Sequence, residues 1–119
     1  MIGLDTNVVV RFLAQDDDRQ SLIATRVFSK LTRDDPGFVS SVVLAEVSWV
    51  LTGSYRLSRE ALAETLEGLL RSTELRVENA GPAWRALGLF RSGEAIGFAD
   101  ALIAETGALA GADKTYTFD

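Results

Sequence analysis

The sequence FVSSVVLAEVSWVL, residues 38–51, places a short strand directly before a helix that is apolar on nearly every face. A Pro-Gly pair breaks the chain just ahead of it, and Ser40 or Ser41 suits the N-cap of the helix. A helix with so little polar surface is expected to be central and buried. Glu46 stands out in this run because burying an unpaired carboxylate is energetically costly.

On either side of this stretch, strand-like runs alternate with helical patterns, which is typical of an α/β fold with a mostly parallel sheet. The expected strands are residues 1–4, 38–39, 75–77 and 115–118. The expected helices are 7–14, one opening at 16–18, one from 40 to about 51, one opening at 58, one opening at 81–82 and one from 98 to about 110. Trp49 and Trp84 are assigned to the core rather than to stacking on nucleic acid.

The composition excludes several classes of protein. The 119 residues suffice for one domain, and 47% apolar with 24% charged residues is typical of a globular chain. The absence of cysteine and histidine excludes disulfides, thiolate metal sites, a Ser-His-Asp triad and most zinc sites. No apolar run reaches the ~18 residues of a membrane span and the N-terminus lacks a signal-peptide pattern, so a cytoplasmic protein is expected. The formal net charge of −5 argues mildly against nucleic-acid binding, unless bound cations invert the local potential.

Four carboxylates define a candidate site. They are Asp5 after the first strand, Glu46 in its apolar run, Asp100 in GFADALIA at residues 97–104, and Asp119 after the last strand. Parallel strands deliver their carboxyl ends to one edge of a sheet, where ligands bind. Oxygen ligands without His or Cys suit Mg²⁺ or Mn²⁺, and such metals assist phosphodiester cleavage. We therefore predict a divalent-metal site at this edge.

Each acid also has an ordinary structural interpretation. Asp5 suits the N-cap of a helix, and Asp100 suits the positive end of a helix dipole. Asp119 suits a solvated turn or a chain terminus, and Glu46 suits an ion pair with a buried arginine. A haloacid-dehalogenase-like phosphatase also carries an Asp after a strand. That chemistry needs a second acid two residues on, where this chain has Asn7.

Four motifs in order resemble the PIN-domain endoribonucleases, and most closely the VapC-type toxins of bacterial toxin–antitoxin pairs. The motifs are Asp5-Thr6-Asn7, Ser40 with Leu44-Ala45-Glu46, residues 98–104 around Asp100, and Thr117-Phe118-Asp119. The resemblance runs along the whole chain and implies a three-layer α/β/α sandwich with a mostly parallel central sheet. It implies one PIN-like domain over residues 1–119. The family usually continues into one more short strand after the fourth motif, and that strand is expected to be missing here.

The resemblance also implies an activity. The chain is expected to be a metal-dependent endoribonuclease, the toxin of a type II toxin–antitoxin pair, with Mg²⁺ or Mn²⁺ held by Asp5, Glu46, Asp100 and Asp119. Three polar residues are expected to orient these ligands or their waters: Asn7, Ser40 and Thr117. The expected partners are single-stranded or structured RNA, a cognate antitoxin and a second copy of the chain. The alternative is a catalytically impaired module that keeps the fold and binds a basic partner.

Overall fold

A three-stranded parallel sheet lies at the centre of a computed structural model, which describes residues 1–93 and 95–118. Its strands are β1 (Ile2–Gly3), β2 (Gly37–Val39) and β3 (Leu75–Val77), in the spatial order β1-β2-β3. Ile2 pairs with Gly37, and Gly37 in turn pairs with Leu75, so the three strands begin at one level. All three carboxyl ends therefore meet at one edge of the sheet.

Helices connect and cover these strands in the described part of the chain. They are α1 (Thr6–Ala14), α2 (Asp18–Ser29), α3 (Ser41–Gly53), α4 (Arg59–Arg71), α5 (Ala80–Arg91) and α6 (Phe98–Leu109). Two helices separate β1 from β2 and two separate β2 from β3, which gives the long crossover connections that parallel neighbouring strands need. Of the two candidates for the N-cap of α3, Ser40 is the one observed, because its Oγ accepts from Val43 N (3.1 Å). The helix expected to open at 58 is confirmed as α4, with Ser58 Oγ capping it by accepting from Ala61 N (3.1 Å). The fold is the predicted three-layer α/β/α sandwich.

The core joins the helices to one another and fixes the start of α6. Phe98 is 2% exposed and meets Phe90 of α5 edge to face, with ring centroids 6.4 Å apart. Arg59 lies 4.0 Å above the Phe90 ring and donates hydrogen bonds to the carbonyls of Phe90 (2.9 Å) and Ile96 (3.1 Å). These contacts hold the connection into α6 and thereby the position of Asp100 in its first turn.

The expected strand at 115–118 is wrong. Residues 114–118 form neither helix nor strand, and the side chains of Tyr116 and Phe118 are exposed. The segment instead turns back at the end of α6, where Ala112 N donates to the Gly107 carbonyl (2.9 Å). A β-branched and aromatic composition expresses strand propensity only when a neighbouring strand pairs with it. The expectation that residues 1–4 form a buried strand is also wrong in part, since Ile2 on the edge strand β1 is 48% exposed.

The apolar helix α3 is buried on one side only. Leu44, Val47 and Leu51 face the core, whereas Val42 and Trp49 are exposed. The exposed positions follow helical spacing, because Glu46 lies between Val42 and Trp49 at steps of four and three residues. Assignment of Trp49 and Trp84 to the core was wrong, since their side chains are 58% and 38% exposed.

Candidate active site

Asp5 marks the carboxyl end of β1 and the start of α1. Its backbone is extended, with φ −89° and ψ 172°, and its Oδ1 accepts a hydrogen bond from Val8 N (3.0 Å). The N-cap interpretation of Asp5 is therefore confirmed. The cap occupies one carboxylate oxygen and fixes the side chain, while Oδ2 accepts no hydrogen bond from the described residues. An exposed, fixed oxygen at a strand end is compatible with a ligand as well as with a cap.

Glu46 is exposed rather than buried, because its face of α3 points away from the core. Thr6 Oγ1 donates a hydrogen bond to Glu46 Oε1 (3.1 Å), which connects α3 to the first residue of α1. Within residues 1–93 and 95–118, no Lys or Arg lies at ion-pair distance from Glu46. The alternative of a buried arginine partner therefore has no support. Through its hydrogen bond with Thr6, the Glu46 carboxylate contacts the residue that directly follows Asp5 in the chain.

Asp100 lies in the first turn of α6, on a helix that packs against α3. It is exposed and lines a cavity of about 430 Å³ together with Trp49 and Thr52 of α3. Gly97 is the N-cap and makes no side-chain capping bond, so the free N–H groups of this turn favour a nearby carboxylate. The dipole interpretation of Asp100 and its placement beside α3 are both compatible with this geometry.

The described residues contain no group of three or more acids close enough to hold a metal ion. The structure joins Asp5 to Glu46 through Thr6 and places Asp100 on the adjacent helix. Asp119 lies outside the described residues. The chemistry of the donor set nevertheless suits a hard divalent cation, because exposed carboxylate oxygens are its preferred ligands and the chain has no His or Cys to compete.

The family model for the PIN domain matches residues 2–119, nearly the whole chain. The chain belongs to the PIN domain family. Comparison with curated proteins and with solved structures found no match. PIN domains are generally nucleases that use divalent metal ions, and PIN nucleases bind RNA. None of the described helices of this PIN domain is long and apolar enough to cross a membrane.

The polar residues expected to orient ligands have different surroundings in this PIN domain. Asn7 is exposed in the groove that also contains Asp5, and Ser40 Oγ is occupied as the N-cap of α3. Thr117 lies in the irregular segment 114–118. Thr6, which the sequence analysis did not select, is the residue that contacts a predicted ligand. Its place between Asp5 and Asn7 in the first motif was the available signal.

A further acid at the strand ends was also missed. Glu78 directly follows β3, and its Oε1 accepts a hydrogen bond from Ser41 N (2.9 Å). Its own backbone N donates to the Val39 carbonyl (2.9 Å). Glu78 therefore caps the start of α3 from the end of the neighbouring strand. Its position after β3 matches that of Asp5 after β1, which was the signal that could have identified it.

One basic side chain near the site belongs to the scaffold of the PIN domain. Arg11 Nη1 donates to Tyr55 Oη (2.9 Å) and to Asp16 Oδ1 (3.3 Å), and Tyr55 Oη donates to Asp16 Oδ2 (2.7 Å). The hydrogen bond from Tyr55, with help from Arg11, holds the pKa of Asp16 below its usual value although desolvation opposes this. The same bond raises the pKa of Tyr55. This network connects α1 to the end of α3 and so commits Arg11 to a structural contact.

Proposed function

We propose that this PIN domain is a metal-dependent endoribonuclease that cleaves RNA with water activated by Mg²⁺ or Mn²⁺. The observation that carries the proposal is the hydrogen bond from Thr6 to Glu46, because it brings an acid from the middle of α3 to the strand end that carries Asp5. Family membership supports a nuclease, and the all-oxygen donor set supports a hard cation.

In the proposed mechanism, four acids hold the cation: Asp5, Glu46, Asp100 and Asp119. A divalent cation held there would supply Lewis-acid chemistry, polarising the scissile phosphate and activating the attacking water. The cap hydrogen bond fixes Asp5, the Thr6 hydroxyl fixes Glu46, and the N-terminal turn of α6 offsets repulsion at Asp100. The remaining polar residues of the proposal, Asn7, Ser40 and Thr117, orient these ligands or their waters, and Ser40 does so by fixing the start of α3.

We further assign the chain to the VapC-type toxins of type II toxin–antitoxin pairs, as a single PIN-like domain over residues 1–119 that acts in the cytoplasm and forms a homodimer. The order of the four motifs along the chain supports this assignment. The cognate antitoxin is proposed to cover the acids with a basic segment. A formal net charge of −5 and three exposed acids around α3 favour an Arg or Lys insert by charge complementarity.

A catalytically impaired PIN-fold interaction module is the second candidate. It is favoured by one observation, that the described residues bring no three acids together. Such a module keeps the fold and the acidic surface, and it binds a basic partner without cleaving RNA.

Cleavage assays on the purified chain separate the two candidates. The nuclease is expected to cut a single-stranded RNA with Mg²⁺ or Mn²⁺, to stop in EDTA, and to lose activity in Asp100→Asn. Glu67→Gln on α4 is the matched control, because it also neutralises one acid but lies away from the strand ends. Activity that persists in EDTA or in Asp100→Asn contradicts the mechanism, and a metal-loaded chain that never cleaves RNA supports the interaction module.

The antitoxin assignment has a separate test. The chain and the small protein encoded next to it are expected to elute as one complex when they are expressed together. Elution of the chain alone would contradict the toxin–antitoxin assignment while leaving the nuclease proposal standing.

A further inference from the structure

An open groove of about 250 Å³ runs between α1 and α2, and Asp5 is one of the residues that line it. Its volume is below the ~300 Å³ at which sites for drug-sized ligands begin, so it suits a single ring system. Arg11 and Gln20 line the same groove. Arg11 follows Asp5 by six residues, which places it about 9 Å further along the axis of α1. The groove therefore extends from a proposed metal ligand to a pair of nitrogen-bearing side chains.

The side-chain amide of Gln20 is fixed in one orientation. Arg11 Nε donates a hydrogen bond to Gln20 Oε1 (2.7 Å), and because a guanidinium can only donate, the oxygen of the amide must be the atom that meets Arg11. Arg11 Nη1 is itself held by Tyr55 Oη (2.9 Å) and Asp16 Oδ1 (3.3 Å). Gln20 Nε2 donates to none of the described residues. Gln20 therefore offers a ligand a donor and no free acceptor orientation.

The guanidinium of Arg11 offers a second donor next to the first. Its Nε and Nη1 are occupied, whereas Nη2 donates to no residue in the described part of the chain. The N–H groups of a guanidinium form a rigid planar fork, so the Nη2 N–H lies beside the Nε–H that Gln20 accepts. Two neighbouring donors are thus held at one place in the groove, and Arg11 keeps its scaffold contacts while it supplies one of them.

Guanine is the base whose edge matches two neighbouring donors, because its O6 and N7 are adjacent acceptors. Adenine presents N7 beside the N6 amino group, so one donor of the pair would meet another donor. Cytosine also has two adjacent acceptors, N3 and O2, but its single ring covers less apolar surface. That surface is present, since Val8, Val27 and the half-exposed Ile23 line the groove.

We propose that Arg11 Nη2 and Gln20 Nε2 form a recognition site for guanine, on a nucleotide close to the phosphate that is cut. The inference rests on the proposed function, because Asp5 in the same groove is assigned to cleavage. It deepens that function by giving the nuclease a base preference. Both donors belong to the chain itself, so the contact needs no bound cation.

The donor pair also favours a base over a basic protein segment as the occupant of this part of the groove. A Lys or Arg inserted there would bring further donors against Arg11 and Gln20 and would find no free acceptor on either. An inserted cation would also meet the positive charge of Arg11. A basic segment of a protein partner therefore suits the acids better than it suits this pair.

Neutral nucleosides test the contact without a cation and without a phosphate. The ¹⁵N-labelled chain is titrated in EDTA with inosine, which keeps O6 and N7 of guanine, and separately with adenosine, cytidine and 7-deazaguanosine. The chain has two glutamines, so the side-chain amide signal of Gln20 is the reporter and that of Gln15 is the internal control. Gln15 Nε2 donates to the Phe12 carbonyl (2.7 Å) and to Thr25 Oγ1 (3.2 Å).

Inosine is expected to shift the Gln20 amide signal and to bind about tenfold more tightly than adenosine, since a matched pair of hydrogen bonds discriminates by this order. 7-Deazaguanosine, which lacks N7, and cytidine are expected to bind more weakly than inosine. The Gln15 signal should stay in place throughout.

Exchange of the donor for an acceptor provides the sharper test. Gln20→Glu leaves one carboxylate oxygen for Arg11 and offers the other to the base, which then matches N7 and the N6 amino group of adenine. The preference is expected to reverse in favour of adenosine, with the backbone N–H signals of Val8 and Ile23 as reporters. Gln15→Glu is the matched control, because it adds the same charge at a residue that does not line the groove, and it should keep the preference for inosine. Circular dichroism checks that both variants fold.

Three outcomes overturn the inference. One is equal affinity of the wild type for inosine and adenosine, and another is an unchanged preference in Gln20→Glu. The third is a Gln20 amide signal that ignores every nucleoside and shifts only when the small protein encoded next to the chain is bound, which assigns the groove to that partner. The proposed function fails separately, since a chain that binds inosine as expected but never cleaves RNA contradicts the nuclease and supports the donor pair as a base site.

Discussion

Glu46 on α3 and Glu67 on α4 occupy comparable places, each in the interior of a 13-residue helix, yet their surroundings differ. Glu67 accepts a hydrogen bond from Arg71 Nε (2.8 Å) and another from Arg91. These bonds, the one from Arg91 first, hold the pKa of Glu67 below its usual value. Among the described residues, Glu46 accepts one hydrogen bond, from the neutral hydroxyl of Thr6. The scaffold therefore neutralises Glu67 but leaves the charge of Glu46 to solvent or to a cation from outside.

The two tryptophans differ in the same way as the two glutamates. The guanidinium of Arg71 lies over the ring of Trp84, whereas the ring of Trp49 faces an open cavity. On the side of the molecule formed by α4 and α5, arginines of the chain itself thus contact both Glu67 and Trp84. At the strand ends, no described Lys or Arg forms an ion pair with Asp5, Glu46 or Asp100, and no described cation lies over the ring of Trp49. A surface with unpaired charges beside a region whose charges are paired is the arrangement expected of a binding site on a rigid scaffold.

Neutralisation of acids at the strand ends and on α4 should produce the largest difference between the two regions, in the rate of RNA cleavage. Asp5→Asn and Glu46→Gln are each expected to lower the rate of RNA cleavage roughly a hundredfold or more, because the charge that holds the cation is reduced. Asn still suits the N-cap of α1, so Asp5→Asn should fold normally. Glu67→Gln should cleave at the wild-type rate. Initial rates on one RNA in Mn²⁺ measure all three, and equal losses in all three variants would contradict the contrast.

Glu46 and Glu67 should also differ, by a smaller amount, in how much a bound cation raises the stability of the folded chain. A cation that binds only the folded chain stabilises it by about 2.7 kcal/mol at a hundredfold excess over Kd. Wild type and Glu67→Gln are therefore expected to melt at higher temperature in Mn²⁺ than in EDTA. Glu46→Gln should lose most of this increase while its melting temperature in EDTA stays the same or rises.

A large destabilisation of Glu46→Gln in EDTA would contradict this interpretation. It would mean that Glu46 supports the scaffold in the way that Glu67 does. Thermal unfolding followed by circular dichroism, with each of the three proteins in EDTA and in Mn²⁺, provides the six melting temperatures needed.

Local signals in the sequence predicted most of the fold. The Ser40 and Ser58 caps, the break before β2 and the strand at 75–77 all depend on residues close in sequence, and the structure confirms them. The strand at 115–118 was predicted from the same kind of signal, but a strand also needs a partner. That partner is a long-range feature that composition does not encode.

The candidate site was predictable in its residue types and less so in its exposure. The strand-end position of Asp5 followed from the order of elements. The burial of α3 was overestimated, because an apolar helix face has the same sequence pattern whether or not a neighbouring element covers it. Glu46 and Trp49 were therefore placed inside, whereas both lie on the open face. The contact between Thr6 and Glu46 joins residues 40 apart, which no local pattern reveals.

Removal of the Thr6 hydroxyl, which donates a hydrogen bond to Glu46, should have a smaller effect than neutralisation of an acid. Thr6→Val is expected to weaken Mn²⁺ binding about tenfold, because partners of metal ligands typically contribute this much. Thr25→Val is the matched control, since the Thr25 hydroxyl also makes one side-chain hydrogen bond on a helix surface, accepting from Gln15 Nε2 (3.2 Å). Titration calorimetry with Mn²⁺ measures both variants, and equal affinities for Thr6→Val and wild type would remove Thr6 from the site.

The smallest expected effect is the pH dependence of stability contributed by Glu67. Because the folded-state pKa of Glu67 is lowered from its ordinary value of 4.5, its contribution is fully present above that pH and is lost as the pH falls through the folded-state pKa. Glu67→Gln should thus melt slightly below wild type at neutral pH, and the two melting curves should converge in acid. Glu64→Gln, which removes an exposed acid of α4 with no ion pair among the described residues, should follow the wild type at every pH. A gap between Glu67→Gln and wild type that persists in acid would show that Glu67 acts through packing, and the contrast with Glu46 would then no longer be one of charge.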